Sequence, residues 1–382
     1  MRIYLDHNAT TPVRSEVADA MDRVLREVHG NPSSTHSEGS AAREALETAR
    51  SRVALLLGTR PDRVLFTGGA TEANNTALLG LLRRREQAPG HVVSTQVEHP
   101  SVEAALQVLE STGWRVTRLP VDSDGVVALT ALADALCDDT ALVSVLWANN
   151  ETGVLQDLEA WSAIVREHGA LLHVDATQGI GKLPIDLGSL SIDLLSLSAH
   201  KFNGPKGVGC LVVDPELGFE PILHGGPQEK GRRGGTENLA GIVGLGVACD
   251  LADKELDQRS LRYSMLRDRL WEGIRTRIDG VKRNGSTAAL LPNTLNVEFE
   301  DTAGEVLLQA LDLEGVAASA GAACHSGSIE PSHVLTAMGR TPESARGSLR
   351  LSVGFGTDEE QIDFVLDRLC ELVPRVREAE GA

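Results

Sequence analysis

Hydrophobic residues in this chain gather in short, nearly unbroken runs set between longer stretches in which apolar and polar positions alternate with a helical period. Helical periodicity is clearest at about 15–29 and 37–57, directly after a brief amino-terminal segment. Seven short apolar runs follow, at 64–67, 91–94, 116–119, 142–146, 171–174, 194–197 and 208–213. Runs that are apolar throughout, with amphipathic segments between them, are what strands covered on both faces look like. The pattern predicts an α/β fold built on a mainly parallel seven-stranded sheet.

The pattern changes near residue 262. A long charged helical stretch through Arg277 leads to the strand-like segment 295–299, a helix near 303–312 and a second strand-like segment at 349–353. These predict a smaller α+β domain. The expected division is a large domain over 15–261 and a small domain formed by 1–14 together with 262–382. Between the last elements, 317–328 is made almost wholly of Ala, Ser and Gly, and so little side chain to bury predicts a mobile loop.

Composition narrows the function classes. The 382 residues are 42% hydrophobic and 24% charged, enough for two domains that fold without disulfide or metal staples. The net charge of −18 would repel a polyphosphate backbone, so no nucleic-acid partner is expected. The one basic run, Arg83-Arg84-Arg85, reads as the solvated last turn of a helix. Five scattered cysteines (Cys137, Cys210, Cys249, Cys324 and Cys370) lack C-x-x-C spacing, which argues for a reducing compartment and against a zinc site. Apart from Cys324 they read as inert core residues. No apolar run approaches the roughly 18 residues that span a bilayer, and the first residues carry no signal-peptide pattern, so the expectation is a cytoplasmic protein without a membrane partner.

Three places carry candidate chemistry. Gly68-Gly69-Ala70-Thr71-Glu72 follows a predicted strand and opens a helix, which makes it either an anion-binding turn for a phosphate or a plain strand-to-helix connection. Asp175 closes the run 171–174, with Gln178 one turn beyond; it either meets a cationic group at the carboxyl rim of the sheet or caps a helix. Ser198-Ala199-His200-Lys201 closes the next run and offers an amine suited to a Schiff base. An amine, a carboxylate and a phosphate turn together describe a site for pyridoxal phosphate.

Further motifs sit around these: Tyr4-Leu5-Asp6-His7-Asn8-Ala9-Thr10-Thr11-Pro12, Gly30-Asn31-Pro32, Ala70-Thr71-Glu72-Ala73-Asn74-Asn75, Val97-Glu98-His99, Ala148-Asn149-Asn150-Glu151-Thr152-Gly153, His173-Val174-Asp175-Ala176-Thr177-Gln178, Arg233-Gly234-Gly235-Thr236-Glu237-Asn238 and Cys324 through Glu330-Pro331-Ser332. In this order, from residue 2 to about 370, the chain resembles the cysteine desulfurase family of class V pyridoxal phosphate enzymes. The resemblance implies the pyridoxal-phosphate transferase fold of type I and a homodimer that converts L-cysteine to L-alanine, passing sulfur to an iron–sulfur scaffold or another acceptor protein. It makes Lys201 the lysine that binds the cofactor aldehyde, Asp175 the partner of the ring nitrogen, and His99 the ring-stacking proton relay. Ala70, Thr71, Ser198 and His200 become the phosphate cradle, completed by Thr236 of the neighbouring subunit. Asn150 and Gln178 face the ring substituents, and Arg350 clamps the substrate carboxylate. Cys324, on a loop of about 318–332, resembles the cysteine that forms the persulfide. His325 departs from the commonest desulfurase pattern and resembles selenocysteine lyases, which leaves L-selenocysteine as the alternative substrate; the imidazole either activates Cys324 or faces water.

Overall fold

The computed structural model describes residues 2–83, 89–320 and 331–380. Cys324, His325 and most of the arginine run lie outside the described residues. Seven strands form one sheet in the order Val64–Thr67, Gly209–Val213, Leu194–Ser198, Leu171–Asp175, Thr140–Leu146, His91–Thr95 and Arg115–Leu119. The strand Gly209–Val213 is antiparallel to both neighbours, and the other neighbouring pairs are parallel. Each strand coincides with one of the seven apolar runs to within about two residues.

Alternate residues explain why the runs are apolar throughout, since successive side chains in a strand point to opposite faces. Phe66, Val93, Val145, Val174 and Leu197 enter one core with the helices Ser37–Leu56 and Leu158–His168, whereas Leu65, Val92, Leu142, Leu194 and Leu211 enter another with Pro100–Ser111. Only the edge strand Arg115–Leu119 departs, with Arg115 exposed and Leu119 its one buried residue.

The helix Leu239–Arg277 runs without interruption past the expected boundary at 261/262. Leu245, Ala248 and Cys249 pack into the core of the large sheet, while Tyr263, Leu266, Leu270 and Ile274 pack into a separate core with Ile3, Leu5, Val297, Phe299, Leu349 and Leu351. From Leu239 to Ala252 it gives no amphipathic signal, because Asp250 is the one polar residue there and none of those positions is exposed. At Gly246 an added Cβ would come within 2.8 Å of the Ala49 Cα, so the close approach to Ser37–Leu56 requires glycine.

The second core lies under a three-stranded antiparallel sheet in which Thr294–Phe299 runs between Ser348–Ser352 and Val281–Arg283. The amino-terminal strand Ile3–Tyr4 pairs in parallel with Val316–Ala317, which carries Asp6 and Asn8 toward the rim of the large sheet. Two cysteines depart from the expectation of an inert core. Cys210 and Cys249 are buried, and burial pushes both thiols up, but Cys137 and Cys370 are only half-buried. Cys137 precedes its strand rather than lying in it, with Sγ 3.2 Å from His91 Nδ1. Among the described residues no helix is long and apolar enough to cross a membrane.

Candidate active site

A cavity of about 1120 Å³ opens at the carboxyl ends of Leu171–Asp175 and Leu194–Ser198, where an open parallel sheet binds ligands. Ala70, Thr71, His99, Asn150, Asp175, Gln178, Ser198, His200, Lys201 and Arg350 all line it, residues drawn from sequence positions 280 apart. Thr236 does not. It lines a second cavity of about 120 Å³ behind Gly68 and Gly207.

Asp175 is buried, and its two carboxylate oxygens are held separately. Oδ1 accepts the Thr177 N–H at 3.0 Å and Oδ2 accepts Asn74 Nδ2 at 2.7 Å. The carboxylate therefore shapes its own turn and also faces the cavity. His99 caps the helix Pro100–Ser111: its Nδ1 accepts the Ser101 N–H at 3.1 Å and lies 2.8 Å from Ser101 Oγ. Burial pushes the imidazole pKa down.

Lys201 follows its strand through the tight turn Ala199–Lys201. Its Nζ donates to the Asn8 carbonyl at 2.6 Å and the Ala9 carbonyl at 2.9 Å. Burial, then the Arg350 guanidinium, lowers the amine to about 8, with Asp175 and Asp6 opposing. At that value a useful fraction is the free, nucleophilic amine at neutral pH. His200 is lowered to about 4 by burial and by the lysines around it, so it stays neutral, with Nδ1 3.1 Å from Thr10 Oγ1.

Gln178 donates through Nε2 to the same Asn8 carbonyl at 2.8 Å, and its own oxygen accepts Lys182 Nζ at 2.9 Å. Lys182 is buried, and burial drives its pKa well down. Arg350 donates to Asp6 Oδ1 at 2.7 Å and to the Asn150 carbonyl at 3.0 Å, while its buried Nε has no partner among the described residues.

At the glycine turn, Gly69 adopts φ 148°, a conformation that side chains other than glycine rarely take. One donor of this turn is already spent, because Gly68 N–H binds Glu72 Oε2 at 2.7 Å. Arg233 Nε holds the other Glu72 oxygen at 2.9 Å, which ties the segment carrying Thr236 to the lip of the cavity.

Several residues that build the site had been quoted only as parts of motifs. Asn8 is the hub: its carbonyl receives both Lys201 and Gln178, and its side chain bonds Thr294, Asn293 and the Asn150 carbonyl. Asn74 and Asp6 are of the same kind, whereas Lys182 lies outside every motif the sequence analysis quotes. The available signal was a polar residue within an otherwise tightly packing motif, which has to bury its hydrogen-bonding groups against something.

The model of the aminotransferase class-V family matches residues 3–365. The chain belongs to that family. Within it, the similarity is to cysteine desulfurases: the cysteine desulfurase IscS of Dictyoglomus turgidum is 43% identical over 98% of this chain and 95% of its own length. A solved NifS-like protein superposes with a TM-score of 0.93 at 38% identity, covering 98% of this chain and 100% of that one. SspA in complex with cysteine superposes with a TM-score of 0.83 at 35% identity, covering 93% and 99%.

Pyridoxal phosphate is the cofactor of this class-V branch. The donor set fits it. A buried carboxylate suits the ring nitrogen, a partly deprotonated amine suits the aldehyde, and a glycine turn beside Ser198 and a neutral His200 suits the phosphate.

Proposed function

We propose that this protein is a cytoplasmic, homodimeric cysteine desulfurase that converts L-cysteine to L-alanine and delivers the sulfur through a persulfide on Cys324 to an acceptor protein such as an iron–sulfur scaffold. The observation that carries the reading is that Lys201, Asp175, the Gly69–Thr71 turn and Arg350 line one cavity, each with chemistry suited to a different part of the cofactor or substrate. The named relatives support cysteine as substrate, and SspA was solved in complex with it. They speak against the selenocysteine alternative.

When bound, pyridoxal phosphate supplies a ring that withdraws electrons from the Cα of the attached amino acid. Lys201 would hold the aldehyde, Asp175 the ring nitrogen, His99 a ring face, and Asn150 and Gln178 the ring substituents. Ala70, Thr71, Ser198 and His200 would hold the phosphate, with Thr236 of the partner subunit. Thr236 lying off the main cavity of its own chain fits a role in the other subunit's site. The small domain, 1–14 with 262–382, would bring Arg350 and the Cys324 segment to the large domain, 15–261.

Arg350 binds the substrate carboxylate and orients Cα toward Lys201. The free Lys201 amine removes the Cα proton and returns it to Cα before alanine leaves. The Cys324 thiolate attacks the substrate Sγ, so that an S–S bond forms as the C–S bond breaks. The electron pair of the broken bond ends in a C–H bond of alanine, which takes up a proton that His99 helps to deliver. One cysteine and one Cys324 thiol give one alanine and one persulfide.

Cys324→Ser tests this directly. The variant keeps its bound cofactor and loses both the protein-bound persulfide and sulfur delivery, read by mass spectrometry and by alanine release from labelled cysteine. A Ser variant that still supplies sulfur to an acceptor without added thiol removes Cys324 from the mechanism.

A further inference from the structure

Which ring nitrogen of His99 carries its hydrogen decides what the imidazole offers the cavity, and the buried side chains behind it fix the answer. Asn74 is fully buried, and its Nδ2 donates to Asp175 Oδ2 at 2.7 Å and to Ser101 Oγ at 2.9 Å. The orientation of this amide follows from Asp175: with nitrogen and oxygen exchanged, two acceptors would face each other at 2.7 Å. An amide nitrogen has two hydrogens and accepts none, so both are used and Ser101 Oγ is the acceptor in its contact with Asn74. The hydroxyl hydrogen of Ser101 is then left for its other neighbour, His99 Nδ1, 2.8 Å away. The Ser101 backbone N–H donates to the same nitrogen at 3.1 Å. Two donors converge on Nδ1, and it can accept them only without a hydrogen of its own.

We propose that Asn74 and Ser101 are positioning residues that lock His99 in the tautomer with its hydrogen on Nε2 and tie that tautomer to the carboxylate of Asp175. The inference rests on the functional reading above and deepens it. In the resting site His99 is then a hydrogen-bond donor through Nε2. It becomes an imidazolium only when Ser101 gives up its hydrogen bonds to Nδ1. The charged and titratable groups that act on the ring are Asp175, which favours the imidazolium, and Lys201 and His333, which oppose it; burial opposes it most. The lock adds to burial in keeping the ring neutral, so that a proton passing through His99 must first displace Ser101.

The test is the nitrogen-15 NMR spectrum of cofactor-loaded protein labelled at histidine, with the His99 signal assigned by its loss in His99→Gln. The expected spectrum shows Nδ1 without hydrogen and Nε2 with it. In Ser101→Ala the neutral ring loses a donor, so the His99 titration midpoint moves up, and Ser101→Thr restores it. Asn74→Ala moves the midpoint in the same direction by less. Hydrogen on Nδ1 in the unaltered protein overturns the proposal, as does a midpoint that Ser101→Ala leaves in place or that Ser101→Thr does not restore. A midpoint unmoved in Asn74→Ala overturns the link to Asp175. The spectrum needs no turnover, so the two readings fail separately: unaltered protein that makes no alanine from cysteine sinks the desulfurase reading, whatever the tautomer.

Discussion

On the sheet side of the cavity, side chains of the candidate site are held by buried groups behind them. Asp175 is bound by Asn74 and by the N–H of Thr177, and His99 by both donors of Ser101. On the opposite side, supplied by the amino-terminal segment and the small sheet, the charged groups rest on partners that a ligand can replace. The Lys201 amine is parked on the carbonyls of Asn8 and Ala9, and Arg350 rests on Asp6, its Nε without a partner among the described residues. The first wall is a fixed mould. The second is a set of charged donors resting on the protein's own oxygens. On the proposed reading, cofactor geometry would rest on buried bonds behind the strand ends, such as Asn74 with Asp175, and substrate capture on contacts between segments some 340 residues apart, such as Asp6 and Arg350.

The contrast breaks most completely at Lys201, which is rooted in the sheet wall but reaches to the other. Lys201→Ala should lose the visible absorbance of the bound cofactor and lower alanine formation by about 10²–10⁴-fold or more, measured by spectrophotometry and product analysis. Retention of that absorbance would remove Lys201 as the aldehyde ligand.

Arg350→Lys separates the walls. It keeps the charge but loses the planar pair of donors, and a charged hydrogen bond contributes about 1.5–3 kcal/mol, so kcat/KM for cysteine should fall by about 10- to 100-fold. Most of the loss should appear in KM, with cofactor affinity intact. If the variant instead loses cofactor, the two walls do not act separately.

The difference between the walls also explains what could be read in the sequence. The six strands inside from the Arg115–Leu119 edge were legible because they are apolar on both faces, and the acid and amine of the sheet wall lie at or just past strand ends, as Asp175 and Lys201 do. Asn8, Asp6 and Asn74 were quoted within motifs but given no role, because their function lies in hydrogen bonds to residues far away in sequence. For Asp6 and Asn8 the placement follows the pairing of Ile3–Tyr4 with Val316–Ala317, a two-residue ladder too short to leave a periodic signal. The opening stretch of Leu239–Arg277, as far as Ala252, was hidden for the opposite reason: burial on nearly every side erases the polar face by which a helix is recognised.

The smallest effect concerns how dry the sheet wall is. Glu98, next to His99, is buried; its Oε1 accepts Thr95 Oγ1 at 2.8 Å and the Leu146 N–H at 3.0 Å, and its Oε2 has no partner among the described residues. Burial pushes its carboxyl from the usual 4.5 up to about 8. Between those values the folded protein holds a proton that the unfolded chain has released, so this group makes stability fall as pH rises through the window. Glu98→Gln removes the titration while keeping the shape. The variant should match the unaltered protein at pH 5 and exceed it at pH 8.5 by on the order of 1–3 kcal/mol, read from denaturant midpoints at each pH. A stability difference that stays constant from pH 5 to 8.5 would mean that Glu98 is ionised in the fold, and that water or a cation reaches behind the wall that holds His99.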